Sequence, residues 1–208
     1  MMRVSTRPLS LRLLRCPFLF GLILTSGLAS AARAQDTIVR FDASRAKVEF
    51  SVGSTLHTVH GTFKLKSGEV RFEPATGKAS GAIVVAATSG DSENEGRDKK
   101  MHERVLQSDK FPEIIFIPSQ VRGKIAAQGM SELEVAGTIQ LQGQGHDLTV
   151  TVSVEPRPGN QILATTHFGV PYIQWGLKSP SSFMLKVDNT VDVEIHAAAQ
   201  ITSDGAPR

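Results

Sequence analysis

Apolar and polar residues alternate over many short stretches of this chain. Val48, Phe50 and Val52 alternate with polar residues, and 133–141 and 148–154 repeat the same period of two. Because successive side chains of a β-strand point to opposite faces, this period predicts half-buried strands. Residues 142–145, Gln-Gly-Gln-Gly, separate two such stretches and predict a hairpin turn. The whole chain carries signals for about eight to ten strands.

The first half of the chain predicts further hairpins. Residues 37–41 and 47–52 are two separate strand-like stretches, and a third covers 58–65. Gly61 interrupts the third stretch, where a bend or bulge is expected. The polar triplet Lys66-Ser67-Gly68 predicts a turn into the next strand, 69–72.

One segment, beginning near Asp91, has helical signals instead. Asn94 or Ser92 can cap the helix start, and Pro112 blocks any continuation beyond it. Met101 and Val105 are one turn apart, which gives about three turns of helix only a narrow apolar stripe. A helix with so little apolar surface must rest on a larger structure. Two roles fit equally well, a lid over one end of a barrel and a connector packed on a sheet.

This pattern predicts an all-β fold. Antiparallel strands of this number, each apolar on one face, bury those faces in a closed barrel or a two-sheet sandwich. A barrel of about eight strands is the size whose interior holds either packed side chains or one small ligand. Alternation alone does not distinguish a filled interior from a hollow one.

The first 34 residues have the features of an export signal. Arginines precede the apolar run 18–28, and Ala32-Arg33-Ala34 fits the small-residue rule for cleavage. The apolar run is too short to span a bilayer. We therefore expect cleavage near Ala34, a single domain over 35–208, and a location in the periplasm or outside the cell.

Loss of this segment changes the charge and the cysteine content. It holds five of the 23 basic residues and none of the 20 acidic ones, so 18 basic residues remain and the formal charge becomes −2. The basic pI of the whole chain therefore reports the signal segment, and no nucleic-acid partner is implied. The only cysteine, Cys16, is also removed, so stability must come from the β core.

Reactive motifs are sparse. His57 and His60 are three residues apart, which in a strand would place them on opposite faces. His102 has no second histidine one helical turn away, and no G-x-S-x-G elbow is present. Arg97-Asp98 has two readings, contact with a ligand headgroup or fixing of a loop. The other histidines each occur alone in the sequence and are predicted to be solvated or hydrogen-bonded at the surface: His146, His167 and His196.

Several short pieces occur in a characteristic order along the chain. They are Val48 to Val52, Val59 to Phe63, Ser67 to Val70, Arg97-Asp98 with Met101-His102, Ser108 to Phe116 with Phe111-Pro112, Gly137 to Gly143, Leu148 to Val150, and Phe168-Gly169-Val170. Together they resemble the YceI-like family of periplasmic lipid-binding proteins, over nearly all of the chain from about Thr37 to Ala199. Many members have a histidine where this chain has Gly53-Ser54, and paired aromatic residues where it has 105–108.

The resemblance implies a lipocalin-like antiparallel β-barrel of about eight strands with one short helix. It also implies a protein without catalysis that binds or carries a long apolar lipid, such as an isoprenoid, quinone-like or fatty-acyl chain. No cofactor is expected other than this lipid as ligand, and transient membrane contact and a homodimer are left open. Two other functions stay open, an envelope protein-interaction module with a filled core and loops 172–178 as its surface, and a small hydrolase or isomerase.

Strand phase and the helix stripe together select candidate ligand-binding residues. Met101 is included because its flexible side chain can close over tails of different shape. The nine residues predicted to face the interior are Phe50, Phe63, Phe72, Met101, Phe116, Ile139, Val150, Phe168 and Val193.

Overall fold

The computed structural model describes residues 36–183 and 185–204. Within them, eight antiparallel strands form a closed barrel in chain order, and the last strand pairs with the first. The all-β prediction with one short helix is confirmed, whereas the predicted signal segment 1–34 lies outside the described residues. The strands are β1 Thr37–Val52, β2 Val59–Phe72, β3 Ala79–Asp91, β4 Glu113–Arg122, β5 Ser131–Leu141, β6 Gln144–Arg157, β7 Gln161–Val170 and β8 Val191–Ser203.

The two predicted N-terminal strands are one strand, β1, with an irregular middle. Its register shifts between Arg40 and Val48 against β2, and between Phe41 and Ala46 against β8. Asp42 organises the irregular segment by accepting hydrogen bonds from the Ser44 hydroxyl at 2.6 Å and from Arg45 Nε at 2.8 Å. These bonds, with the Ser44 hydroxyl first, lower the pKa of Asp42 to about 2. The bulge therefore bends the strand without ending it.

The turn predicted at Lys66-Ser67-Gly68 is wrong, because β2 runs through this triplet. The pairing with β3 shifts register between Leu65 and Ser67, so an irregularity stands where the polar triplet predicted a turn. A Cβ added to Gly68 would lie 3.0 Å from Phe41 Cδ2. The glycine therefore permits close packing against a distant side chain.

The predicted hairpin at Gln142-Gly143 is confirmed. Leu141 pairs with Gln144, and Gln142 and Gly143 have φ values of 51° and 75°. Positive φ at both central residues is the requirement of the type I′ turn, whose twist matches that of the flanking strands.

Strands of alternating direction give the barrel two distinct ends. The connections 73–78, 123–130 and 158–160 lie at one end, which we call the closed end. Buried side chains pack together there, among them Phe72, Leu133 and Val154. The connections 53–58, 92–112, 142–143 and 171–190 lie at the other end, which we call the lid end.

The helical segment lies at the lid end and is only partly α-helical. Helix α1, Glu95–Lys100, is capped by Asn94, whose Oδ1 accepts from Arg97 N at 3.0 Å. The segment Met101–Leu106 continues as a π-helix, where a regular α-helix was expected. Because π-helical bonds join residues five apart, Leu106 lies one turn from Met101. We call Glu95–Leu106 the lid. No described helix has the length and apolar character needed to cross a membrane.

Candidate ligand-binding site

A cavity of about 690 Å³ occupies the interior of the barrel. Its volume lies within the range of roughly 300–1,000 Å³ that is typical of small-molecule sites. Side chains from all eight strands, from the lid and from the connection 171–190 line it. The interior is therefore hollow, contrary to the filled-core alternative. All nine residues selected from the sequence line this cavity: Phe50, Phe63, Phe72, Met101, Phe116, Ile139, Val150, Phe168 and Val193.

Strand alternation places these side chains inside. Along β6, Leu148, Val150, Val152 and Val154 line the cavity, whereas Thr149 and Thr151 between them are exposed. Val150 pairs with Val135 of β5, which also lines the cavity. Directly paired residues of neighbouring strands share a face, so the apolar lining continues from strand to strand.

Two aromatic rings meet on the wall between β1 and β2. Phe50 and Phe63 have ring centroids 5.2 Å apart at an interplanar angle of 42°. A Cβ added to Gly61 would lie 2.3 Å from Phe50 Cζ and 2.5 Å from the Asp91 carbonyl oxygen. Gly61 therefore leaves the room that the Phe50 ring occupies.

Sequence reasoning missed two kinds of lining residue. Ala164 and Ala197 pair across β7 and β8, and both are buried and line the cavity. Strand phase could have identified them, since Ala197 follows Ile195 at a spacing of two. Tyr172 and Leu177 also line the cavity and are buried, but they lie in an irregular connection that has no period to follow.

Tyr172 holds this connection against the barrel. Its hydroxyl donates a hydrogen bond of 2.8 Å to the Asp188 carbonyl oxygen. Its side chain is buried, and burial raises the pKa of the phenol above its ordinary value of 10.0. The single tyrosine of the chain is thus a neutral donor that joins the two ends of the lid-end connection.

Buried polar contacts attach the lid to the end of β3. Ser92 is buried, and Asp98 Oδ1 accepts from its backbone N at 3.0 Å and from its hydroxyl at 2.5 Å. Arg97 Nε donates to Ser92 Oγ at 2.8 Å, and Arg97 Nη2 donates to the Ser92 carbonyl at 2.5 Å. Of the two readings of Arg97-Asp98, the structure supports the one in which the pair fixes a loop.

His102 fastens the second half of the lid. Its Nε2 lies 2.9 Å from the Gly90 carbonyl oxygen, and its Nδ1 lies 3.0 Å from the hydroxyl of the buried Ser108. Because a carbonyl oxygen only accepts, Nε2 carries the proton and Nδ1 accepts from the hydroxyl in the neutral ring. Both ring nitrogens of this histidine are therefore occupied by structural bonds.

The other histidines differ in their surroundings. His146 was predicted to be solvated or hydrogen-bonded at the surface, but it is half-buried and its ring stacks on Trp175 with centroids 4.6 Å apart. Its Nε2 is buried without a hydrogen-bond partner among the described residues. His60 is exposed on β2, and His57 lies in the connection 53–58, where it lines the cavity. Within 36–183 and 185–204, no three His, Cys, Asp or Glu side chains are grouped as metal ligands would be.

The cavity reaches the surface at the lid end. Leu56, His57, Asn94 and Lys100 line it and are exposed, whereas the lining at the closed end is buried or half-buried. We call this opening the mouth. Of the described residues that line the cavity, only Glu49 carries a carboxylate, and Lys47 Nζ lies 2.8 Å from it. The lining is therefore apolar in depth, and at the mouth it also carries the polar side chains of His57, Asn94 and Lys100.

Two solved structures are similar in fold. BcnA from Burkholderia cenocepacia is 18% identical with a TM-score of 0.61, over 77% of this chain and 99% of that chain. A polyisoprenoid binding domain from Saccharophagus degradans, implicated in plant cell wall breakdown, is 13% identical with a TM-score of 0.63, over 79% and 98%. No curated protein matches. At these identities the likeness concerns the fold alone.

The sequence itself matches a family description over most of its length. Residues 40–199, which begin within β1 and end within β8, match the YceI-like domain. They include the lid, β2 to β7, most of β1 and β8, and every cavity-lining residue named above. The chain therefore belongs to the YceI-like family.

Proposed function

We propose that this protein binds and carries a long apolar lipid, an isoprenoid, quinone-like or fatty-acyl chain, inside its barrel. The observation that carries the proposal is the hollow interior of about 690 Å³ with an apolar wall and a polar mouth. This arrangement suits a molecule with a long tail and a small head. That a solved structure of the same fold is a polyisoprenoid binding domain gives further support.

Burial of methylene groups supplies the affinity. Each methylene removed from water contributes roughly 0.8 kcal/mol, so a tail of about ten carbons contributes about 8 kcal/mol. Association costs several kcal/mol of lost translational and rotational freedom, about 4 kcal/mol or more. The remainder is enough for reversible binding, and no directional contact to the tail is required.

The proposal places the protein in the cell envelope and assigns it no catalysis. The N-terminal export pattern, ending near Ala34, supports a location in the periplasm or outside the cell. The hydrogen bonds of His102 to Ser108 and Gly90 give that histidine a structural role. An apolar wall holds and orients a tail, which is all that a carrier requires.

The direct test is to identify what the protein contains. Protein exported by a bacterial host and purified without detergent is extracted with organic solvent, and the extract is analysed by mass spectrometry. We expect close to one lipid per protein. A fluorescent fatty acid should then enter delipidated protein and be displaced by added isoprenoid.

Two other outcomes of these measurements are distinguishable. An extract without stoichiometric lipid, together with no uptake of the fluorescent fatty acid, would refute the proposal. Uptake without a retained lipid would instead indicate weak or transient binding and would leave the carrier role in place.

A further inference from the structure

Two lid-end connections are joined into a firm rim on one side of the mouth. Ser54 and Val187 form an isolated β-bridge. Thr55 N donates to the Lys186 carbonyl at 3.0 Å, and Lys186 N donates to Thr55 Oγ1 at 3.1 Å. We call the described residues of 53–57 and 180–187 the apolar rim. Because backbone bonds join its two halves, its side chains are presented on a fixed support.

The apolar rim exposes large hydrophobic side chains beside the cavity. Leu56 is 77% exposed and also lines the mouth, and Phe183 is fully exposed. Leu185 and Val187 continue the lining inward from them. The apolar rim therefore carries apolar side chains both in the cavity lining and at the protein surface.

Cations surround the same mouth. Arg97 and Lys100 line it from the lid, and the exposed Lys178 and Lys186 lie in the connection 171–190, next to the lining residues Leu177, Leu185 and Val187 in sequence. Across 36–183 and 185–204, none of these four has a carboxylate oxygen within 4.0 Å, although other surface cations do. The acidic residues of the same connections are Glu93, Glu95, Asp98, Glu103, Asp109 and Asp188, and Asp91 ends the neighbouring strand β3. Asp98 accepts a hydrogen bond from the Ser92 hydroxyl, and Asp91 accepts one from the backbone N of Glu93.

An exposed phenylalanine and leucine flanked by unpaired lysines fit the boundary of an anionic bilayer. Such surfaces bury apolar side chains at the level of the headgroups and place cations against lipid phosphates. We infer that the protein docks on an anionic lipid bilayer through its mouth, with Phe183 and Leu56 inserted and Lys100 and Lys186 at the phosphates. The inference rests on the proposed function, since the bilayer is the source or destination of the bound lipid.

Vesicle flotation tests the apolar part of this contact. The lipid-loaded protein is mixed with vesicles of phosphatidylcholine containing phosphatidylglycerol, and bound protein is measured. Phe183→Ser should weaken binding about tenfold, because a full aromatic side chain no longer leaves water. The control is Met130→Ser, since Met130 is 70% exposed at the closed end and should not touch the bilayer. Equal binding by Phe183→Ser and the unaltered protein would overturn the inference.

Lys186→Gln tests the electrostatic part. We expect about a fivefold loss of binding to the anionic vesicles and a weaker salt dependence, because one cation near the surface is removed. Lys124→Gln, an exposed lysine at the closed end, is the matched control. Equal affinity of the unaltered protein for pure phosphatidylcholine vesicles would refute the role of the cations.

Measuring retained lipid in the same preparations separates this inference from the proposed function. Phe183 does not line the cavity, so Phe183→Ser should keep its lipid content while losing vesicle binding. Loaded protein that binds no vesicles would refute docking on a bilayer, leave lipid carriage standing and point to a protein partner at the rim. Protein that retains no lipid and takes up no fluorescent fatty acid would refute the proposed function, whatever the vesicle result.

Discussion

At the scale of single residues, neighbouring side chains of one strand face the cavity and the solvent in turn. Val150 is buried and lines the cavity, whereas its neighbour Thr149 is exposed on the outer surface. Both belong to β6 and pair with adjacent residues of β5, Val150 with Val135 and Thr149 with Ala136. A charge at these two positions therefore compares an apolar wall with solvent in nearly the same backbone.

Val150→Asp should lower both stability and lipid content. A carboxylate on the apolar wall without a partner costs on the order of 3 kcal/mol or more. Urea unfolding and solvent extraction measure the two effects, and Thr149→Asp is the control, which should change stability by about 0.5 kcal/mol or less. If the two variants behave alike, the assignment of Val150 to a lipid-binding wall is wrong.

Tyr172 predicts a dependence of stability on alkaline pH. Burial raises the pKa of its phenol in the folded state above 10.0, so the folded protein binds this proton more tightly than the unfolded chain does. The stabilisation is fully present below the unfolded value and is lost as pH rises through the folded value. Ultraviolet absorbance of tyrosinate follows the group directly, because the chain has one tyrosine.

Tyr172→Phe is the matched variant for this titration. It should lose about 1 kcal/mol at neutral pH, because the hydrogen bond to the Asp188 carbonyl is removed. Its urea midpoint should then fall less than that of the unaltered protein between neutral and strongly alkaline pH. Parallel pH profiles for the two proteins would show that the phenol does not govern this loss.

At the scale of elements, the lid is held by polar bonds at its edges. Helix α1 has no buried residue, whereas the π-helical half buries Leu106 against Leu141 and Tyr172. Hydrogen bonds join this thin element to the rest of the barrel. They link Asp98 to Ser92 and His102 to Ser108. Loss of one bond should therefore affect the lid more than the barrel.

Asp98→Asn should loosen the lid and speed the release of a bound lipid. The amide keeps the shape of the side chain but loses the charge that strengthens both bonds from Ser92, a loss of about 1–2 kcal/mol. Stopped-flow release of a fluorescent fatty acid measures the rate. Glu103→Gln is the control, because its contact with Lys99 at 3.9 Å is an exposed pair. Equal release rates in both variants would argue against gating by the lid.

At the scale of the whole molecule, the cavity depends on the size of the lining side chains as well as on their apolar character. Ala164 and Ala197 face each other across β7 and β8, and both line the cavity. Larger apolar residues at this pair would bury more apolar surface without adding charge. The pair therefore offers a way to close the space while the wall stays apolar.

Ala164→Leu combined with Ala197→Leu should reduce lipid content while the barrel stays folded. The added side chains occupy the space of the tail, and filling a hollow avoids most of the cost of overpacking, which is about 1–3 kcal/mol in a dense core. Mass spectrometry of extracts and thermal unfolding measure the two outcomes. Undiminished lipid content in a folded variant would place the lipid elsewhere on the protein.

The sequence predictions are accurate for features that depend on a few neighbouring residues, and they fail for features that depend on contacts between distant parts of the chain. The nine inward positions and the turn at Gln142-Gly143 depend on backbone geometry within a few residues, and the structure places all of them as expected. The predicted turn at 66–68 and the predicted break in β1 failed, because bulges depend on the neighbouring strands. His146 was misjudged for the same reason, since its partner Trp175 lies in a distant connection.

The amino-acid sequence by itself determined the alternating strands, the place of the helical segment along the chain and the inward phase, because a period of two and a helix cap are local properties of the chain. Closure of β8 on β1, the hollow interior and the exposed apolar rim were decided only by the tertiary structure. The volume left inside a barrel depends on the combined size and packing of the side chains of all eight strands. It therefore cannot be read from any single stretch of sequence.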